Sequence, residues 1–269
     1  MIEAFYRQMA EVEDRHWWFC HRRALVTRLL ARHAPDGHAR ALDLGCGTGG
    51  NARLLAVQAP FVVGLDRSAL ALALAHAKSS PAQLVRGDAN RLAATFLPGS
   101  FDLVAAFNVL YHEWVGDVEQ VLRDVRRVMC GGGCLVLTEP AMPILRRRHD
   151  VVDLGARRFR LGALRRLLRQ AGFEVRFASH FNAVSLVPAL AGAVVDRLFR
   201  RLDATPSADE TVGEISEPPA PLDAMLRAAC AIERLALGYG LRLPLGVGIV
   251  VVATLPVEES RQVRTNSIR

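Results

Sequence analysis

Apolar residues in this chain gather into short runs that close on an acid or an amide, and helical patterns separate the runs. Ala41-Leu42-Asp43-Leu44, Phe61-Val62-Val63-Gly64-Leu65-Asp66, Gln83-Leu84-Val85-Arg86-Gly87-Asp88 and Phe101-Asp102-Leu103-Val104-Ala105-Ala106-Phe107-Asn108 read as four successive strands. The fourth is almost continuously apolar, as a strand covered on both faces must be. Residues 51–58 and the alanine- and leucine-rich stretch after Ser68 repeat at helical spacing, with Ser68 as N-cap of the second. Val118, Val121, Leu122, Val125 and Val128 repeat in the same way, and Gly131-Gly132-Gly133 is expected to end their helix. A fifth strand is expected over 134–139, a helix over 161–170 stopping at Gly172, a sixth strand over 173–179 and a seventh over 247–253. Such alternation calls for a mainly parallel sheet with right-handed crossovers.

The predicted fold is therefore α/β: a Rossmann-like seven-stranded, mostly parallel sheet with helices on both faces. Residues 1–34 form a helical N-terminal cap, 35–182 the core, 183–240 a helical insertion before the last strand, and 241–269 that strand with a tail. Within the insertion, 183–202 is an apolar helix candidate containing Pro188, and 222–237 resumes a helical pattern. Residues 204–221, rich in proline, serine and acids, are expected to be an exposed flexible loop. The insertion reads as a cover packed on the sheet, or as a wall for an apolar substrate or a surface for lipid or a partner subunit.

The chemistry begins where the first strand meets Gly45-Cys46-Gly47-Thr48-Gly49-Gly50. Glycine permits a tight turn and lets a ligand lie against bare backbone at a helix N-terminus. Gly45, Gly47 and Gly50 also satisfy the dinucleotide fingerprint. Asp43 distinguishes the two ligands. A carboxylate here repels a pyrophosphate, whereas it favours the ammonium and sulfonium of S-adenosylmethionine through a charge-assisted hydrogen bond worth roughly 1.5–3 kcal/mol. Asp66 then falls near the spacing at which an acid meets ribose hydroxyls.

Together these residues resemble the class I S-adenosylmethionine-dependent methyltransferases, in particular the small-molecule branch called methyltransferase type 11. The likeness covers roughly residues 25–137, and Asp43-Leu44-Gly45-Cys46-Gly47-Thr48-Gly49 matches the family's first motif in full. The resemblance implies S-adenosylmethionine as cofactor, with its methionine part on Asp43 and the backbone of Gly45, Cys46, Gly47 and Gly49. It implies Asp66, followed by Arg67, at the ribose, Asp88 and Ala89 beside the adenine, and Asn108 at the methyl-transfer end. It would also set the last strand antiparallel, between the fifth and sixth. Glu13-Asp14-Arg15-His16-Trp17-Trp18-Phe19 looks like a segment that precedes the sheet in bacterial members and caps the cofactor. A tryptophan face such as Trp18 attracts a sulfonium by cation–π contact, and Arg22 and Arg23 are candidates for the methionine carboxylate.

Methyl transfer needs an in-line nucleophile held near the methyl carbon, and a base when that nucleophile must lose a proton. His112 is the first candidate, just past the fourth strand; His149, beside Asp150 in the loop after the fifth, is the second, with Tyr111 to orient a hydroxyl. The acceptor is expected to be a small molecule. Other readings are a non-methylating reaction such as a cyclisation, or a silent partner subunit.

Composition removes some alternatives. The net charge is +7, but Lys78 is the only lysine, and the arginines between 146 and 169 are expected on solvated faces. A single aromatic, Phe159, stands among them, too little interleaving to suggest a nucleic-acid surface. No uncharged apolar run of 18 residues marks a membrane span, which leaves peripheral lipid contact at most. The five cysteines form neither a metal pattern nor a disulfide framework, and with no secretory signal a cytoplasmic monomer or homodimer is expected.

Overall fold

In the computed structural model, which describes residues 3–35, 37–152, 154–199 and 217–257, seven strands form one sheet in the order β3-β2-β1-β4-β5-β7-β6. In chain order the elements are α1 (Glu3–Val12), α2 (Trp17–His33), β1 (Arg40–Leu44), α3 (Ala52–Gln58), β2 (Phe61–Asp66), α4 (Ala69–Ala77), β3 (Gln83–Arg86), α5 (Leu92–Thr95), β4 (Phe101–Phe107), α6 (Val118–Val128), β5 (Met129–Pro140), α7 (Arg148–Val152), α8 (Leu161–Gln170), β6 (Glu174–Phe181), α9 (Leu186–Leu198), α10 (Ala220–Gly238) and β7 (Gly248–Thr254). Strands β1 to β5 pair in parallel, and β7 runs antiparallel to both β5 and β6. The strand order reverses between β1 and β4, so the crevice outside their carboxyl ends is the place where such sheets bind ligands.

Both sheet faces are covered, which explains the apolar runs. Leu42, Leu44, Val104 and Ala106 look toward α6 and α8, while Ala41, Leu103 and Ala105 look toward α2 and α3. The expected N-cap holds: Ser68 accepts from the N–H of Ala71. Helix α8 buries Leu164 and Leu168, and Gly172 ends the turn after it with φ +91°.

Gly131-Gly132-Gly133 does not end a helix. Helix α6 stops at Val128, and the N–H of Met129 closes its last turn on Val125 and Arg126. The glycines belong to β5, where the register against β4 slips between Phe101 and Leu103 and Gly132 sits at φ +82°. A bulge opposite Leu255 absorbs the extra residues: Gly132 donates to the Leu255 carbonyl, and Leu255 donates to that of Gly133. Glycine serves either device, so spacing alone misassigned it.

The insertion is fastened to the core by two carboxylates, Glu233 half-buried and Asp196 buried. Glu233 of α10 faces His21 of α2 at 2.8 Å and accepts the N–H groups of Asn182 and Ala183. Asp196 of α9 accepts the N–H of Arg148 at 2.8 Å. Most of the expected flexible loop, 204–216, lies outside the described residues.

Candidate active site

A cavity of about 540 Å³ opens at the carboxyl ends of β1, β2, β4 and β5, within the usual range of roughly 300–1,000 Å³ for small-molecule sites. The glycine turn forms its floor. Gly45, Gly47 and Gly49 have φ of +71°, +54° and +82°. A Cβ on Gly45 would stand 2.6 Å from Val109 Cγ2, so only glycine passes under the β4 loop.

The roof is the N-terminal cap. Tyr6 and Met9 of α1, Glu13 just after it, then His16, Trp17 and Trp18, lie over the turn. Glu13 is 4% exposed; its Oε1 accepts from Thr48 Oγ1 and from Lys78 Nζ at 2.6 Å. The chain's single lysine thus ties the end of α1 to the end of α4. A Cβ on Gly50 would stand 2.1 Å from Glu13 Oε2.

Asp43 lies beneath the turn rather than on the cavity wall. It is 1% exposed, and neither carboxylate oxygen has a hydrogen-bond partner among the described residues. Burial pushes its pKa up to about 7, against the pull of the Arg22 guanidinium. Arg22 does line the cavity, boxed by the rings of Trp18, Phe107 and Phe19 at 4.7, 5.4 and 5.5 Å. Its Nε has no partner, and burial lowers its pKa to about 10. The face of Trp18 is therefore already occupied by a guanidinium. Arg23 turns away, to the carbonyl of Asp14.

Of the residues expected to hold a cofactor, Gly45, Cys46, Gly47, Asp66, Asn108 and Trp18 border the cavity. Asp66 accepts the N–H of Gly47 on one oxygen and that of Ser68 on the other, at 2.9 and 2.8 Å, so it also braces the glycine turn. Arg67 and Asp88 border a second hollow past the end of β3, together with Arg86 and Arg91. Asp88 caps the next turn through the N–H of Asn90. Ala89 is buried, and the Gly49 backbone sits behind the turn against Ala75 and Ser80. Asn108 takes the left-handed conformation, φ +58°, and its N–H donates to Thr138.

Past Asn108 the cavity widens toward Tyr111 and His112. Both are buried; the His112 ring lies 4.0 Å from that of Tyr111 and 5.2 Å from that of Trp114, stacked on the latter. Their loop hangs from Glu139, a residue that gave no signal in the sequence beyond ending β5. Glu139 Oε1 accepts the N–H groups of Val109 and Leu110, and Oε2 accepts that of Tyr111. Burial raises its pKa to about 8 even so.

His149 falls in α7, and its side chain lies outside the described residues. Its neighbour Asp150 borders the cavity, 5% exposed, paired to Arg158 by two contacts of 2.8 and 2.9 Å. The expectation that the arginines of this stretch all face solvent fails at Arg158, whose side chain is 8% exposed. The far wall is Phe181 with Pro188 and Ala189 of α9.

Among the described residues no group of three or more His, Cys, Asp or Glu is placed to hold a metal ion, and no helix is long and apolar enough to cross a membrane.

Residues 42–137 match the model of a methyltransferase domain family, methyltransferase type 11. A "Probable S-adenosylmethionine-dependent methyltransferase" of Mycolicibacterium smegmatis is 30% identical over 63% of this chain and 64% of its own length. One of the same description from Mycobacterium tuberculosis is 27% identical over 78% of this chain and 77% of its own. The chain thus spans a little under two thirds of the first relative. Among solved structures, a chain from the Haloferax volcanii complex between the Trm112 methyltransferase activator and a methyltransferase superposes with a TM-score of 0.60. It is 19% identical, covering 94% of this chain and 97% of that one, a likeness of fold.

Proposed function

We propose that this chain is a class I S-adenosylmethionine-dependent methyltransferase and that it methylates a small molecule seated between His112 and α9. The observation that carries the reading is the pair of buried polar groups without partners among the described residues, the Asp43 carboxylate behind the glycine turn and Arg22 Nε in the cavity wall. A buried polar group left unpaired costs roughly 1–3 kcal/mol. A zwitterionic amino-acid end supplies what both lack: an ammonium for Asp43 and a carboxylate for Arg22.

S-adenosylmethionine carries such an end and supplies, when bound, a methyl group on a sulfonium leaving group. In this reading Gly45 and Gly47 present backbone to the cofactor, Asp66 meets the ribose, Asp88 and Arg67 lie past the adenine end, and Asn108 stands at the turn toward the acceptor. The roof residues Glu13, Trp17 and Trp18 exclude water. His112 takes the proton from an acceptor that must lose one, and its ring is steered by Tyr111 and Trp114 on either side. Glu139 holds that loop in place without touching the acceptor.

The test uses purified full-length chain, methyl-labelled cofactor and a panel of small hydroxyl, amine and acidic-carbon acceptors. Label is expected in product, and His112→Gln is expected to lower turnover about 10²–10⁴-fold while S-adenosylhomocysteine affinity stays level. Tight binding of NAD with no response to S-adenosylhomocysteine would overturn the cofactor assignment. A changed product without label would replace methyl transfer with a cyclisation-type reaction, and cofactor binding without turnover would leave a partner subunit.

A further inference from the structure

Helix α9 has one side in the cavity wall and the other bare. Its inner side gives Pro188 and Ala189 to the cavity. Its outer side exposes Val187 (76%), Leu190, Val194 (50%) and Leu198 (74%), with Phe199 (69%) closing the stripe. These positions recur at three- and four-residue spacing, so they form one continuous apolar face. Ile144, 57% exposed on the neighbouring turn, extends it. Such a face on a folded chain marks an interaction surface.

Charge indicates what meets this face. Across 143–152 and 186–199 the only acids are Asp150 and Asp196. Both are buried, Asp150 against Arg158 and Asp196 against the N–H of Arg148. Arg146 and Arg197 stand exposed at the rim of the stripe and donate to backbone carbonyls, Arg146 to Ala156 and Arg197 to Ala193 and Ile144. Within those two stretches the exposed charge is therefore positive. A second copy of the chain would bring the same cations face to face, whereas an anionic surface would neutralise them. The stripe lies on a helix of 13 residues, shorter than the roughly 20 needed to cross a bilayer, so a membrane would meet it along its side.

We propose that α9 docks this protein on an anionic lipid bilayer, its apolar stripe in the headgroup boundary and Arg146 and Arg197 on lipid phosphates. The cavity wall and the stripe share the same helical turns, so the acceptor mouth opens beside the membrane. An acceptor with an apolar tail could then slide from the bilayer past Pro188; that clause rests on the methyl-transfer reading, but the docking itself does not.

The experiment is co-sedimentation of the full chain with vesicles of pure phosphatidylcholine and of phosphatidylcholine with about 30% phosphatidylglycerol. The wild type is expected in the pellet with the anionic vesicles only, and to be released by salt. Val194→Asp/Leu198→Asp is expected to weaken vesicle binding at least tenfold, with an unchanged circular dichroism spectrum and unchanged S-adenosylhomocysteine affinity showing that fold and site survive. Vesicle binding that is absent, indifferent to phosphatidylglycerol or unaffected by the double substitution overturns the proposal. So does a dimer in light scattering that the double substitution turns into a monomer, which would assign the stripe to a second copy. Since no turnover is read, failure of the methyl-transfer reading leaves this result intact.

Discussion

The sharpest expectation concerns Asp43 and is read as the pH dependence of ligand binding. In the empty protein its carboxyl is fully buried without a partner, and burial raises its pKa from 3.8 to about 7. That rise corresponds to about 4 kcal/mol favouring the neutral acid. A cationic ammonium reverses the preference, because it binds the anion and not the acid. Below pH 7 each unit of acidification must therefore deprotonate Asp43 against a further tenfold handicap. Affinity for S-adenosylhomocysteine, which keeps the ammonium, is expected to rise about 16-fold between pH 5.5 and pH 7 and to level off above pH 7 at about 30 times its pH 5.5 value. Asp43→Asn keeps the shape and loses the charge. It is expected to weaken binding about 10–150-fold at pH 7.5, the worth of a charge-assisted hydrogen bond of roughly 1.5–3 kcal/mol, and to flatten the profile. Isothermal titration of both proteins from pH 5.5 to 7.5 measures this, a range in which the ligand's amino group stays charged. A wild-type profile that is flat, or an Asn variant that keeps both affinity and slope, refutes the idea that this carboxylate receives the ammonium.

Three further outcomes are expected. Gly50→Ala puts a methyl 2.1 Å from Glu13 Oε2 and should cost about 1–3 kcal/mol, seen as a melting temperature several degrees lower; an unchanged melt would mean the α1 roof yields freely. Arg158→Met strands Asp150 in its buried place and should cost about 3–5 kcal/mol in urea denaturation, and a neutral result would show that the pair carries no net stability. Glu139 has its pKa raised from 4.5 to about 8, so the folded state holds a proton that the unfolded state gives up between those values. Its contribution to stability is thus present at low pH and falls as pH rises from about 4.5 to about 8; the wild type should lose stability against Glu139→Gln over that window, and a difference that grows the other way would be decisive against it.

The sequence by itself determined the α/β layering, the glycine turn and the carboxylates at the ends of the first three strands. These are local properties. A strand buried on two faces must be apolar along its length, and a turn with positive φ three times in five residues requires glycine. The same locality explains the failure at Gly131–Gly133, since a glycine run satisfies a helix stop and a strand bulge equally well. How distant residues come to share one space emerges only on folding. Glu13 reaches across 65 positions to Lys78, Glu139 holds the loop that carries His112, and Asp150 withdraws Arg158 from solvent. No periodicity announces such contacts, because a buried carboxylate and an exposed one look alike until the chain folds. Even Asp43, the plainest residue in the motif, acquired its chemistry only when packing buried both its oxygens with no hydrogen-bond donor among the described residues.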